Sequence, residues 1–163
     1  MTKRIPAGIR RLKTLSKYLR KSVPREHFDI RWWIAHNNDP QLIFDNDSHD
    51  IATTIDNEGK LTPDRLLTCN TVGCAVGWAA VCPALQKEGL TLKRSWSGSL
   101  VPKFSIYDGF NAVREFFEFE RTADADRIFN DTRAYPHRVE KRQITPTDVA
   151  DVIDQYIAQH TSR

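Results

Sequence analysis

The chain has 163 residues, of which 40% are hydrophobic, 10% aromatic and 28% charged, with only 7 glycines. That balance suits one domain spanning residues 1–163, long enough to bury a substantial core, and excludes a disordered or fibrous chain. The net charge of +3 conceals segregation: residues 1–31 hold ten Lys/Arg against two Asp/Glu, residues 32–90 hold three against eight, and the remainder holds eleven of each.

No apolar run approaches the roughly 20 residues of a membrane span. The basic start lacks the apolar stretch and small-residue cleavage site of a secretory leader, so a cytoplasmic location and no membrane partner are expected. Three cysteines cannot all pair within one chain, and in a reducing compartment they serve as small hydrophobes.

Ile5, Ile9, Leu12, Leu15, Leu19 and Val23 recur at helical spacing, which predicts an amphipathic helix within residues 1–24, packed on the core. Arg10, Lys13, Lys17, Arg20 and Lys21 fall on its other side. Such a stripe is either a solvated face or a contact for an acidic protein or a phosphate backbone. It lacks the interleaved aromatics that stacking on single-stranded bases requires.

Phe28, Ile30 and Trp32 then alternate with Asp29, Arg31 and Trp33, a pattern for a short half-buried strand or for a loop packed on the core. A tryptophan facing out beside Arg31 has the composition of an interface hot spot, so Arg31 and Trp33 join the candidate partner-binding residues. The alternative is that both tryptophans cover the core. Residues 37–50 are polar and turn-rich. Asp45, Asp47, His49 and Asp56 fall near calcium-loop positions, but Asp50 stands where the sharp turn needs Gly and Asp56 where a bidentate Glu belongs, so a solvated acidic loop is expected.

Thr62, Pro63 and the pair Leu61/Leu66 mark a helix start. It leads into Cys69–Pro83, which contains every cysteine and no charge. The expectation is a central helix capped by Asn70 or Thr71, apolar all round and therefore buried, with Pro83 ending or kinking it. Cys69, Cys74, Gly77, Trp78 and Cys82 are its structural core residues. Its small residues admit close neighbours, and Trp78 is the one large filler. Gly89 terminates the helix beyond Pro83.

Leu92 and Trp96 precede Ser97-Gly98, and Val101, Phe104 and Ile106 follow it, predicting a β-hairpin. Pro102 should hold its second strand at an edge, and the hairpin must lean on helices or pair with residues 28–34. Phe110, Val113, Phe116 and Phe117 form a helix face to which Phe119 adds; Thr122 caps a helix carrying Ala125, Ile128 and Phe129. Residues 133–142 form a basic loop. Thr145, Pro146, Asp148 and the pair Ile144/Val149 give the clearest helix start in the chain. Val149, Val152, Ile153, Tyr156 and Ile157 are its buried face, and residues 158–163 are expected to fray.

No constellation for chemistry stands out. Cys69, Cys74 and Cys82 lack a Cys-x-x-Cys pair and a nearby His, so zinc would need a distant ligand such as His49 or His137. A nucleophilic Cys74 would gain from a helix N-terminus, but apolar surroundings raise its pKa. Phosphate-binding glycine loops and hydrolase or metalloprotease motifs are missing. No catalytic residue, cofactor or metal is therefore assigned.

The segment Cys69-x-Thr71-x-x-Cys74-x-x-Gly77-x-Ala79, with Ala112, Phe116 and Phe117, the pair Ile128-Phe129, and Thr145 to Ala150, resembles a loosely related set of small uncharacterised bacterial and bacteriophage proteins. The resemblance spans about the C-terminal two-thirds of the chain; Asn70 departs from it where Gly commonly follows the first cysteine, as does the basic N-terminal helix. It implies a phage or prophage origin and carries no activity across.

The expected fold is mainly α (α+β), with five or six helices around residues 69–85 and a small antiparallel β-element. The expected function is a non-enzymatic phage-type accessory protein that binds a host protein, as a counter-defence or regulatory inhibitor. The alternatives are a nucleic-acid binder using the basic helix with Arg133, Arg138, Lys141 and Arg142, and a thiol- or metal-dependent enzyme.

Overall fold

A computed structural model describes residues 5–31, 33–36, 61–68, 71–95, 100–135, 140 and 143–161. The fold is mainly helical with small antiparallel sheets. Helix α1 (Ala7–Ser22) begins after Pro6 and buries Ile9, Leu12, Leu15 and Leu19, with Val23 just past its end. Ile5 lies outside it and is exposed, so the apolar stripe starts one turn later than its spacing implies.

A short 3-10 turn (Arg25–His27) precedes Phe28, which makes a single parallel bridge to Gly73. The strand expected at 28–34 lies later: β1 (Ile34–His36) pairs antiparallel with β2 (Thr71–Gly73), Ala35 facing Val72. Between them in sequence, α2 (Pro63–Thr68) starts as its signals predict, with Leu61 and Leu66 both buried.

The cysteine stretch is shorter as a helix than its composition suggests. Residues Thr71–Gly73 are spent on β2, and α3 (Ala75–Val81) follows with Cys74, not Thr71, at its N-cap; Asn70 lies outside the described residues. Every residue of α3 is buried. Pro83 breaks the run, and α4 (Pro83–Gln86) continues for one turn before Gly89, at φ 99°, reverses the chain. With α3 and α4 taken as one broken run, six helices are described.

Gly77 permits the close contact at the centre. A Cβ there would lie 1.8 Å from the carbonyl oxygen of Trp33. Gly8 plays the same part for α1, where a Cβ would lie 2.1 Å from the carbonyl oxygen of Phe117. The Trp78 indole N–H donates to the His27 carbonyl oxygen at 3.0 Å, which satisfies the polar edge of this fully buried ring.

Strands β3 (Thr91–Arg94), β4 (Leu100–Phe104) and β5 (Tyr107–Asp108) form a second sheet in that order. The strands of the hairpin pair as expected, with Thr91 facing Lys103 and Arg94 facing Leu100, while Trp96 and its Ser97-Gly98 turn lie outside the described residues; no described residue of 28–34 pairs with it. Strand β4 is central, not an edge. Pro102 fits because β5 reaches only Lys103 and Phe104, leaving β4 one neighbour at the proline.

Helix α5 (Gly109–Phe117) buries Ala112, Val113, Phe116 and Phe117. It ends at Glu118 in the left-handed region, φ 57°, where the Glu118 carboxylate accepts from the Gly8 N–H at 2.8 Å. Helix α6 (Thr122–Phe129) has Arg121, not Thr122, at its N-cap position. Helix α7 (Pro146–Thr161) carries a reciprocal capping box: the Asp148 N–H donates to Thr145 Oγ1 at 3.2 Å, and the Thr145 N–H donates to Asp148 Oδ2 at 2.8 Å. It remains helical through Thr161, beyond the point where fraying was expected, and buries Val149, Ala150, Ile153 and Ile157. Val152 and Tyr156 are only partly buried. A single cluster of buried side chains draws on all of these helices and on β3 and β4.

Candidate functional site

The outer side of α1 carries Arg10, Lys13, Lys17, Arg20 and Lys21, all exposed. Its five predicted contact residues divide into two kinds. Arg10 donates two hydrogen bonds to the Glu88 carboxylate at 2.8 and 2.9 Å, and Arg20 bridges Asp151 at 2.8 Å and Asp154 at 2.6 Å. These arginines join α1 to the chain after α4 and to α7. Lys13, Lys17 and Lys21 are exposed and form no ion pair with any described residue. Four-residue spacing on an unbroken helix sets the three ammonium groups in one line along the solvent side.

Glu88 is shared with Arg11, whose Nε donates to it at 2.8 Å. Burial alone would raise the Glu88 carboxyl, but hydrogen bonds from Arg11 and Arg10 outweigh this and hold it below the usual carboxylate range. Arg11 is mostly buried: its guanidinium lies 4.4 Å from the Phe116 ring centre and donates to the Phe116 carbonyl oxygen at 2.6 Å. Arg11 is therefore a structural cation, distinct from the exposed lysines. Inward-facing Ser16 donates to Asp154 at 2.7 Å, so α1 is fixed to α7 by both apolar and polar contacts.

The second predicted patch is more enclosed. Arg31 is held by Asp29, its own near neighbour in sequence, and Trp33 is half-buried with its ring 4.8 Å from that of Phe110. Burial favours protonation of Asp29, yet the Arg31 bonds overcome it and lower its pKa. Trp32 lies outside the described residues. So do Cys69, Arg138, Lys141, Arg142 and the residues weighed for calcium or as distant zinc ligands, Asp45, Asp47, His49, Asp56 and His137.

Cys74 and Cys82 are free and buried. Burial pushes the Cys74 thiol up to about 11, although the Gly77 and Val76 N–H groups at the start of α3 act the other way. At neutral pH this sulfur carries its proton and packs as a small hydrophobe. Among the described residues no group of three or more His, Cys, Asp or Glu side chains could hold a metal ion. No described helix is long and apolar enough to cross a membrane.

A feature that sequence reasoning missed is a groove of about 490 Å³ between α6 and α7, entered by Arg121, Arg127 and Arg133 and flanked by Tyr156 and His160. The three arginines recur every six residues but fall on a helix N-cap, a helix and a following 3-10 turn, so the periodicity of no single element marks them as one group. They converge because α6 ends at Phe129 and the 3-10 turn Thr132–Ala134 folds back beside it. The i,i+4 spacing of Tyr156 and His160 was a readable signal, since it stacks their rings 3.9 Å apart.

Compared with protein families, curated proteins and solved structures, the chain matches none.

Proposed function

We propose that this is a non-enzymatic binding protein of phage or prophage type that contacts an acidic surface of a host protein through the outer face of α1, acting as a counter-defence or regulatory inhibitor in the host cytoplasm. The observation that carries the contact is the line of Lys13, Lys17 and Lys21, exposed and without an ion pair among the described residues, while the arginines beside them are committed to Glu88, Asp151 and Asp154. Charges already engaged by the fold hold the helix in place; charges left facing solvent are available to a partner and steer its approach. The phage-type part rests on the resemblance in the C-terminal two-thirds. The buried, protonated Cys74 favours binding over thiol chemistry.

A tagged-protein capture from bacterial lysate, with and without nuclease, tests this reading. A host protein retained after nuclease treatment, and lost when the three lysines are changed to Gln, is the expected result. Capture that disappears with nuclease, and an affinity falling steeply with salt, assigns the lysine line to a phosphate backbone instead.

A further inference from the structure

The groove between α6 and α7 has its own chemistry and lies apart from the lysine line on α1. Arg121 is paired with Asp124, and Arg133 with Asp131. Arg127 lines the same groove and makes no ion pair or hydrogen bond with any described residue. Glu120 and Asp124 line it beside the three arginines. One acid is occupied by Arg121, whose hydrogen bonds hold the Asp124 carboxyl below its ordinary range. Among the described residues this leaves Arg127 and Glu120 as the groove's two charges without an ion pair, and Arg133 is 89% exposed, held only from its Asp131 side.

On the opposite wall His160 lies flat against Tyr156, with ring centres 3.9 Å apart and planes within 23°. Its Nδ1 lies 2.8 Å from the Tyr156 carbonyl oxygen; because a carbonyl only accepts, a hydrogen bond there requires the proton on Nδ1. Tyr156 is in turn fixed edge-on to Phe119 at 5.2 Å. One face of the exposed imidazole is thereby covered and the other remains available, on a ring held in place from behind.

We propose that this groove binds a free mononucleotide, its phosphate held by Arg127 and Arg133 and its base laid on the open face of His160. Guanidinium groups match the geometry and charge of phosphate oxygens, and aromatic faces accept any base. A volume of about 490 Å³ lies within the range of small-ligand sites and suits one nucleotide better than a strand. Gln155 and Gln159, on the same wall, offer amides for the polar edges of a base or ribose.

The test is calorimetric titration of the full chain with ATP, AMP, adenosine and inorganic phosphate. Saturable one-to-one binding of ATP, tighter than phosphate alone, is expected. Arg127→Ala should weaken ATP and phosphate alike by roughly tenfold or more, the loss of a charge-assisted contact. His160→Ala should weaken ATP and adenosine while leaving phosphate unchanged. Both residues are exposed, so these variants test binding with the fold intact. No saturable binding, equal affinity for ATP and phosphate, indifference to Arg127→Ala, or loss through substitution of Lys13, Lys17 and Lys21 would overturn the proposal. Tighter binding of a short single-stranded oligonucleotide at these residues would do so too, making the groove part of a strand-binding surface.

Discussion

The backbone of Gly77 lies so close to that of Trp33 that a Cβ on the glycine would stand 1.8 Å from the Trp33 carbonyl oxygen. This contact lets the segment before β1 settle on α3. The obstructing atom belongs to the backbone, so no side-chain rotation can relieve the clash. Gly77→Ala should therefore destabilise the protein by ~3 kcal/mol or more, an overpacking cost at the upper end of the usual range. Denaturant unfolding followed by tryptophan fluorescence reads it, and a change within about 0.5 kcal/mol would show that the contact yields more easily than its geometry implies.

Thr145→Ala removes the hydroxyl that accepts from the Asp148 N–H at 3.2 Å and leaves an orphan donor in the first turn of α7. The expected loss is ~1 kcal/mol. Thr145→Ser keeps the oxygen and should recover most of it. Thermal melts of the two variants side by side decide the point; equal losses would assign the effect to packing of the methyl group.

Glu88 ties pH to stability. Its carboxyl is held below the ordinary value by Arg11 and Arg10, so its stabilisation is fully present above that ordinary value and is lost as pH falls through the lowered one. Glu88→Gln should lower stability at neutral pH and weaken its decline in acid. Unfolding midpoints at neutral and acidic pH measure the difference, and parallel curves for variant and parent would contradict the assignment.

Cys74 and Cys82 should resist alkylation in the folded protein and react only after denaturation, since both are buried and the Cys74 thiol is shifted to about 11. Mass spectrometry after brief iodoacetamide treatment locates the label. Rapid modification of Cys74 in the native chain would reopen thiol chemistry.

Much of the fold was legible where a local signal and the tertiary demand agreed. The start of α7 is such a case: Thr145, Pro146 and Asp148 satisfy orphan backbone groups in any context, and Ile144 and Val149 are both buried as the staple requires. The cysteine stretch misled because small apolar residues suit a buried strand and a buried helix equally, and only pairing with Ile34–His36 assigns Thr71–Gly73 to β2. The position of Pro102 misled because β5, two residues long, leaves no periodic trace yet turns β4 into a central strand.

For the candidate sites, periodicity located the basic side of α1 but not the split within it. Arg10 and Arg20 find acids 78 and 131 residues away, a pairing that no local pattern contains. Trp33 likewise packs on Phe110, which no spacing near residue 33 announces. Of the α6–α7 groove arginines, Arg133 is marked by the basic loop, but its convergence with Arg121 and Arg127 is hidden for the same reason.

The proposed contact with a partner protein is the line of Lys13, Lys17 and Lys21. The most direct measurement compares nuclease-resistant capture by the parent chain with that by the K13Q/K17Q/K21Q variant, after matched thermal melts show that both are folded. The three side chains are exposed and form no ion pair among the described residues, so the variant should keep the parent's melting temperature while losing most of the captured protein. Undiminished capture by a variant of equal stability would contradict the account and move the contact off α1.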